Sequence, residues 1–248
     1  MSDIPNVFGS TWYDEEYFKG EKGGKKFRRA NGSLAQWSYY NPNGWWEGCR
    51  PIAKAWKTMF NPKNMLDVGA GRGAFIVATR EVGIEACGFD FSEWAVSNPC
   101  PRCQKEWLIL HDATKPWPYK DKSFDLVVAL DFYEHLYLDD IPFVVGEMYR
   151  VAKKWIFLQI AVVGGGSGYA IHEKGYILRR GEPVPRELEG NLVAGHVTVC
   201  PSEWWLDKLD REDVIARRDM VEWFYVLTPE EVTVNWRKNL VLVLEKME

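Results

Sequence analysis

The chain has 248 residues, 46% of them hydrophobic and 27% charged, which predicts one substantial core in one large domain or one domain with a small appendage. The formal net charge of −4 argues against a nucleic-acid partner held by bulk electrostatics. The sequence has no uninterrupted apolar run of about 18 residues and no basic segment followed by an apolar run after Met1, so we expect a cytoplasmic protein without a membrane span.

The first 60 residues are rich in aromatic side chains, among them Trp12, Tyr13, Tyr17 and Phe18, but their spacing is irregular. Irregular spacing predicts short turns and loops, with one helix over about residues 51–60. We therefore predict that residues 1–60 form an aromatic-rich N-terminal cap and that residues 61–248 form the main domain.

From residue 64 onward, segments with strand and helix patterns alternate. Strands are predicted at residues 65–68, 84–90, 107–110, 124–130 and 155–160, and helices at residues 73–82 and 139–151. A short helix is predicted to begin at Ser92, whose hydroxyl group can accept a hydrogen bond from the first turn. Strands alternating with helices at this interval predict parallel pairing through right-handed crossovers, and hence a doubly wound α/β sheet.

The alternation stops at residues 161–195, which contain the glycine-rich run Gly164–Gly168 together with Pro183 and Pro185. This composition predicts a lid inserted after the fifth strand, over the carboxyl edge of the sheet. Beyond the lid, Ser202 is predicted to cap a helix that ends at Leu209. Residues 214–217 and 221–226 have a strand-like composition, and residues 240–244 predict a final strand.

A glycine-rich turn follows the first strand of the main domain, with Gly69, Gly71 and Gly73 at alternate positions after Asp67. Glycine adopts positive φ without steric cost and lets the backbone approach a ligand closely. The second strand ends in another carboxylate, Asp90, about twenty residues later, where it could hold a pair of ribose hydroxyl groups. Together these features predict a site for an adenosine-containing cofactor.

The same reasoning extends to a third carboxylate, because Asp112 follows the third strand. In a parallel sheet Asp67, Asp90 and Asp112 would lie along one edge, with about 4.8 Å between neighbouring strands. That arrangement suits one elongated ligand with several polar groups. For each residue alone, a helix cap or a solvated loop position is the alternative explanation.

Five cysteines, an odd number, fit a reducing compartment better than a disulfide framework. Cys100 and Cys103 have a spacing at which two thiolates can bind one metal ion. The pair supplies only two of the four ligands that a structural zinc ion needs, so Cys200 and a histidine would have to complete the site. A plain turn flanked by Pro99 and Pro101 is the alternative.

Three segments in this order, Asp67–Gly73, Asp90–Phe91 and His111–Ala113, resemble class I S-adenosylmethionine-dependent methyltransferases, in particular the group with small-molecule and glycan methyltransferases. The resemblance covers about residues 64–160. It implies a mostly parallel, seven-stranded, Rossmann-like sheet with an antiparallel last strand. The aromatic segment Tyr13–Phe18 is similar to an opening that closes over the cofactor in some members.

The resemblance also implies a role for each matching residue in binding S-adenosylmethionine. Asp67 would hold the amino group, Asp90 would accept both ribose hydroxyl groups, and Asp112 would accept the adenine amino group. Further cofactor contacts would come from the backbone of the turn and from residues beside the strand ends, namely Gly69, Ala70, Gly71, Gly73, Phe91, Ala113 and Leu130.

Methyl transfer from a sulfonium needs alignment of the acceptor and exclusion of water, with a base only when the acceptor arrives protonated. His135, after the fourth strand, and His196, after the lid, are the candidate bases. An alternative is a divalent-metal site made of Asp131, Glu134 and the two histidines, a spacing that resembles the ligands of some family members. Oxygen and nitrogen ligands of this type suit magnesium or manganese ions.

The expected function is methyl transfer to a small-molecule or glycan-type acceptor, on oxygen. Flat aromatic walls would suit such an acceptor, and Trp45–Trp46 and Trp204–Trp205 are the candidates among 13 tryptophans. Three alternatives remain: an NAD-type Rossmann oxidoreductase, an inactive cofactor-binding regulatory module, and an aromatic-rich carbohydrate-binding protein. Against the oxidoreductase, the third glycine of the turn comes one residue earlier than the dinucleotide-binding pattern requires.

Overall fold

The computed structural model describes residues 8–19, 25–28, 34–37, 44–165, 175–183, 185 and 194–247. Its strands are β1 (Lys25–Arg28), β2 (Leu34–Trp37), β3 (Asn64–Val68), β4 (Glu85–Asp90), β5 (Leu108–Leu110), β6 (Phe124–Leu130), β7 (Ala152–Ile160), β8 (Tyr176–Ile177), β9 (Thr198–Val199), β10 (Val214–Ala216) and β11 (Leu240–Lys246). Its α-helices are α1 (Glu15–Lys19), α2 (Cys49–Phe60), α3 (Ala74–Glu81), α4 (Glu93–Ser97), α5 (Ile141–Val151), α6 (Ser202–Leu209), α7 (Arg218–Leu227) and α8 (Glu230–Thr233).

The main sheet has seven strands in the order β10-β11-β7-β6-β3-β4-β5. β3 pairs in parallel with β4 and β6, and parallel pairing continues outward to β5 and β7. β11 runs antiparallel to both of its neighbours, β7 and β10. The predicted doubly wound sheet with an antiparallel last strand is therefore confirmed. The strand order reverses between β3 and β6, and in such sheets the crevice at the reversal is where ligands bind.

Both faces of the sheet are covered, which explains the nearly continuous apolar run in β6. Val127 and Ala129 belong to a buried cluster with Met148 of α5, whereas Leu126 and Val128 belong to a second cluster with Trp56 of α2. Alternate residues of a strand point to opposite faces, so each face of β6 contributes to a different core layer.

The helix starts show where local sequence signals succeed and fail. The Ser92 side chain accepts a hydrogen bond from the Ala95 amide, 3.0 Å away, so the predicted cap of α4 is confirmed. For α6, however, Pro201 occupies the N-cap position and Ser202 is the first helical residue, so the predicted Ser202 cap is wrong.

Residues 221–226 are helical, and their predicted strand is wrong. The valine and aromatic content of this segment favours a strand locally. The tertiary packing follows a different period, because Met220 and Phe224 are four residues apart and both are buried on one side of α7. The spacing of the buried residues therefore overrides the local propensity.

Most of the predicted lid, namely residues 166–174, 184 and 186–193, lies outside the described residues. Within the described part, β8 pairs antiparallel with β9. Two ion pairs join the loop after β8 to the segment before α5: Arg179 to Asp139, at 2.9 Å, and Arg180 to Asp140, at 2.6 Å. Among the described helices, none has the length and apolar character needed to cross a membrane.

The division into residues 1–60 and 61–248 stays a prediction. Within the first region, α2 contributes Ile52 and Trp56 to the same buried cluster as Met65 of β3 and Phe157 of β7. The aromatic segment before it packs differently, because Phe8, Trp12, Tyr13, Tyr17 and Phe18 form a buried cluster with Ala95, Tyr137, Leu178 and Val197. This aromatic segment lies over the carboxyl end of the sheet.

Candidate functional site

A cavity of about 690 Å³ opens at the carboxyl ends of the central strands, where the strand order reverses. Asp67, Asp90 and Asp112, at the ends of β3, β4 and β5, all line it. The candidate bases His135 and His196 line the same cavity. So do the other predicted cofactor residues except Gly73, namely Gly69, Ala70, Gly71, Phe91, Ala113 and Leu130.

The glycine turn wraps one end of this cavity. Gly69 and Gly71 have φ values of +72° and +53°, a region that side-chain-bearing residues rarely adopt. The amides of Gly69 and Ala70 donate to the Phe89 carbonyl at 3.1 and 3.0 Å, which fixes the turn against β4. A Cβ atom on Gly69 would lie 2.5 Å from Cδ2 of Phe132. The turn therefore presents backbone to the cavity.

Gly73 does not line the cavity, and its place in the turn is set by close packing. It has φ +80° at the N-cap of α3, and a Cβ atom there would lie 2.6 Å from Sγ of Cys103. The glycine allows close packing against the Cys100–Cys103 turn, whose Cys100 amide donates to the Arg72 carbonyl at 2.8 Å. In the part of the chain that the structure describes, these cysteines belong to no group of three metal-ligating side chains.

Asp67 is a buried carboxyl group that faces the cavity. Burial, reinforced by the nearby Asp90 charge, raises the pKa of Asp67 to about 7. None of the hydrogen bonds among the described residues has the Asp67 carboxyl group as acceptor. A buried carboxylate in this situation gains most from a cationic group that enters the cavity.

Asp90 differs because the protein holds its carboxyl group on both sides. Its Oδ2 accepts from the Gly71 amide and its Oδ1 accepts from the Ser92 amide, each at 2.8 Å. Burial raises the pKa of Asp90, and these backbone bonds oppose the rise. Each oxygen keeps a further acceptor site, so a fixed carboxyl group can receive two neighbouring hydroxyl groups.

The third carboxyl group, Asp112, also has one oxygen fixed by the protein. Its Oδ1 accepts from the Thr114 amide at 2.9 Å and from the Thr114 hydroxyl group at 2.8 Å. The Ala113 carbonyl accepts from Trp117 Nε1 at 2.9 Å, which holds this stretch of backbone. Asp112 Oδ2 therefore stays available to a donor in the cavity.

Tyr13, in the N-terminal aromatic segment, forms part of the wall of the cavity. Its ring centroid lies 5.2 Å from that of Phe91, and its carbonyl accepts from Ser92 Oγ at 2.5 Å. Its hydroxyl oxygen lies 3.0 Å from Nδ1 of His135, 122 positions later in the chain. The N-terminal segment thus contacts both the β4 end and a candidate base.

His135 and His196 come together at one end of the cavity. Their rings are perpendicular, with centroids 4.8 Å apart. The Val197 amide donates to the Glu134 carbonyl at 2.8 Å, which ties the segment carrying His196 to the 3₁₀ turn Tyr133–His135. Burial lowers the pKa of His135 to about 4, so the imidazole is neutral at pH 7.

Asp131 and Glu134 bring two neighbouring carboxyl groups to the side of the histidines. Glu134 is fully buried, and its Oε1 accepts from the Ala161 amide at 3.1 Å. Burial and the neighbouring Asp131 charge raise the pKa of Glu134 well above its usual range, and burial raises the pKa of Asp131 to about 6. The Asp131 side chain is exposed to solvent within the cavity, whose walls desolvate its carboxyl group only in part.

The structure brings together three of the four residues predicted to form a divalent-metal site. One potential ligand atom from each of Glu134, His135 and His196 lies within 4.8 Å of the others. Asp131, the fourth predicted ligand, is not a member of this group. These three side chains could hold an ion only if Glu134 released the proton that its burial favours.

The structure adds lining residues that the sequence did not identify, including Gln159, Arg180 and Trp236. No sequence pattern pointed to these lining residues, because none of them belongs to the glycine turn or to the matched motifs. Among the proposed aromatic walls, Trp46 lines the cavity, whereas Trp45, Trp204 and Trp205 do not. Trp205 is instead a fully buried core residue. The prediction that Trp204–Trp205 line the acceptor pocket is therefore wrong for this cavity.

The strand order, the glycine turn and acidic residues at three successive strand ends define the class I methyltransferase fold. Residues 66–155 match the family described as "Methyltransferase domain". Over these residues the chain is similar to the S-adenosylmethionine-dependent methyltransferases, and its sheet has the fold of that class.

Its relatives are distant. Norajmaline N-methyltransferase of Rauvolfia serpentina is 28% identical over 186 residues, which cover 72% of this chain and 56% of the relative. The chain thus spans about half the length of this curated relative. Among solved structures, the plantazolicin methyltransferase BpumL in complex with a monoazolic desmethylPZN analog and SAH has a TM-score of 0.55 at 15% identity, covering 81% of this chain and 82% of that chain. The YcgJ protein of Bacillus subtilis has a TM-score of 0.51 at 16% identity, covering 80% and 98%.

Proposed function

We propose that this protein transfers the methyl group of S-adenosylmethionine to a small-molecule or glycan-type acceptor, on an oxygen atom. One observation carries the proposal: Asp67, Asp90 and Asp112 end three adjacent strands and all face one cavity beside a glycine turn. An inactive regulatory module would need no base next to this cofactor site, whereas two histidines lie there. Against a Rossmann oxidoreductase, the third glycine of the turn, Gly73, comes one residue earlier than the dinucleotide-binding pattern requires.

The residues of the cavity fit the cofactor group by group. Asp67, which has no donor among the described residues, suits the cationic amino group, and the two fixed oxygens of Asp90 suit the ribose hydroxyl groups. Asp112, Ala113 and Phe91 would hold the adenine. The remaining contacts would come from Leu130 and from the backbone of the turn, at Gly69, Ala70 and Gly71, where a missing side chain permits close approach.

The proposed mechanism is an in-line displacement. When bound, S-adenosylmethionine supplies a methyl group that its positively charged sulfur already activates. The aromatic side chains of Tyr13, Tyr17 and Phe18 line the cavity and reduce the access of water to it. The remaining task of the protein is to align the acceptor and to take up its proton.

His135 is the proposed proton acceptor. Its Nδ1 lies 3.1 Å from the Gly195 carbonyl, which can only accept a hydrogen bond. In the tautomer that carries its hydrogen on Nδ1 and donates it to Gly195, Nε2 is the nitrogen that accepts the hydroxyl proton. The perpendicular His196 ring packs against His135 and holds its orientation.

Nitrogen is the second candidate for the methylated atom. The name of the relative from Rauvolfia serpentina supports it, since that protein is an N-methyltransferase. An amine that arrives unprotonated needs no base, so the His135→Ala change would affect nitrogen methylation less than oxygen methylation.

The test supplies the protein with ¹³C-methyl-labelled S-adenosylmethionine and fractionated cell extract, and follows label by NMR and mass spectrometry. We expect a product one methyl group heavier, whose carbon chemical shift identifies an oxygen-bound methyl group. A nitrogen-bound shift would support the second candidate. Absence of binding to S-adenosylmethionine in calorimetry, with binding to NAD instead, would refute the proposal. Retained activity in EDTA would remove the divalent-metal alternative.

A further inference from the structure

Asp131 lines the cavity but is not among the residues proposed to bind the cofactor. It follows β6, on the side of the strand-order reversal away from Asp67, Asp90 and Asp112. Its φ of +47° is a conformation that aspartate adopts uncommonly. The backbone amide of Asp131 donates to both the carbonyl and Oε1 of Gln159, at 2.9 and 3.0 Å, which holds it in this conformation.

The charges that line the cavity are strongly unbalanced. Among the described residues, five aspartates and two arginines line it. Arg180 is paired with Asp140 at 2.6 Å. Arg72 donates to the Asn98 carbonyl at 2.6 Å and lies over the Trp94 ring. In the part of the chain that the structure describes, no lysine or arginine forms an ion pair with Asp131.

Two buried polar atoms beside Asp131 also indicate a place for a polar ligand group. Glu134 and Gln159 are both fully buried, and Glu134 Oε2 and Gln159 Nε2 have no hydrogen-bond partner among the described residues. Both side chains lie close enough to the Asp131 carboxyl group that hydrogen bonding from them lowers its pKa, but neither contact has the geometry of a full hydrogen bond. Buried polar atoms without partners are uncommon and indicate a place where a polar ligand group completes the hydrogen bonding.

We propose that the acceptor carries a protonated amino group, which binds against the Asp131 carboxylate in the cavity that the aromatic rings of Phe132 and Tyr13 also line. The inference rests on the proposed function, because it assumes that the cofactor takes Asp67, Asp90 and Asp112. An ammonium group satisfies a carboxylate and gains from neighbouring aromatic faces. A carboxylate or phosphate at this point would be repelled by Asp131. The amino group binds in this way whether the methylated atom is this nitrogen or a neighbouring hydroxyl oxygen.

The test compares three probes with the same ring and chain: phenethylamine, 2-phenylethanol and phenylacetate. Each is titrated by NMR into the protein saturated with SAH, the demethylated product of the cofactor. We expect the amine to bind at least about tenfold more tightly than the alcohol, and the carboxylate to bind most weakly. Asp131→Asn should remove the preference, and asparagine also tolerates positive φ, so this variant should keep its fold.

The matched control is Asp140→Asn, a change at a cavity aspartate that is already paired with Arg180. This variant should keep the preference for the amine. Equal binding of the three probes, a preference for phenylacetate, or no binding of any probe to the SAH complex would overturn the inference. Manganese binding that Asp131→Asn abolishes would also overturn it, by assigning the carboxylate to a metal site. Failure of the unmodified protein to bind SAH would instead refute the proposed function.

Discussion

Replacing Asp67 with asparagine is expected to stabilise the protein at neutral and alkaline pH and to weaken cofactor binding. The carboxyl group is buried, and burial raises its pKa from 3.8 to about 7. Ionisation is therefore unfavourable in the folded protein. Asparagine has nearly the same shape and carries no charge, so it removes this penalty.

The expected size follows from the two pKa values. Above pH 7 the carboxyl group is ionised in both states, and the difference between 3.8 and about 7 lowers the free energy of unfolding by about 4 kcal/mol. Between these pH values the folded protein keeps a proton that the unfolded chain releases, so stability falls as pH rises. Below pH 4 both states are protonated and the penalty disappears. Asp67→Asn should therefore gain up to about 4 kcal/mol at pH 8 and much less at pH 5.

Urea unfolding at pH 5 and pH 8 measures this difference, with Asp207→Asn as the control. Asp207 is an exposed carboxylate on α6, and its replacement should change stability by less than about 0.5 kcal/mol. Calorimetry should show that Asp67→Asn weakens SAH binding by about tenfold to a hundredfold. Binding of methylthioadenosine, which lacks the amino acid portion, should not change. A variant that is no more stable than the original protein at pH 8 would show that the reasoning about Asp67 is wrong.

Three further variants test the rest of the site. Gly69→Ala should lower both the melting temperature in a thermal-shift assay and the affinity for SAH, because the new Cβ atom would lie 2.5 Å from Phe132 at a φ of +72°. Gly146→Ala is the control: it has open space around it in α5, so this change should be neutral or stabilising in the same assay. Asp90→Ala should abolish SAH binding in calorimetry while the circular dichroism spectrum stays unchanged; unaltered affinity would mean that the role of this strand end was misassigned. His135→Ala should reduce single-turnover methyl transfer to oxygen by about a hundredfold or more with little effect on SAH affinity, and an unchanged rate would exclude it as the base.

The fold was predictable because its signals are local. The apolar run of β6 and the strands on either side of it were read correctly, since strands covered on both faces carry such runs. The positions of Asp67 and Asp90 followed directly, because the ends of parallel strands meet at one edge of the sheet. The Ser92 cap depended only on residues within one helical turn.

The remaining features depend on contacts between distant parts of the chain. Gly73 looked like a cofactor residue, but its neighbour is Cys103, thirty positions away in the sequence. The contact between Tyr13 and His135 joins residues 122 positions apart. Arg180 lines the cavity and pairs with Asp140, 40 positions earlier in the sequence. No period or motif in the sequence encodes such approaches, because they follow from how the loops pack after the sheet has formed.

The hydroxyl group of Ser92 connects the aromatic segment that borders the cavity to the first turn of α4. It accepts from the Ala95 amide and donates to the Tyr13 carbonyl, while the Ser92 amide fixes Asp90. Moving the aromatic segment aside to admit or release a ligand must break the bond to Tyr13. Movement of the aromatic segment therefore disturbs the residue whose amide fixes Asp90, the carboxyl group that we propose binds the ribose.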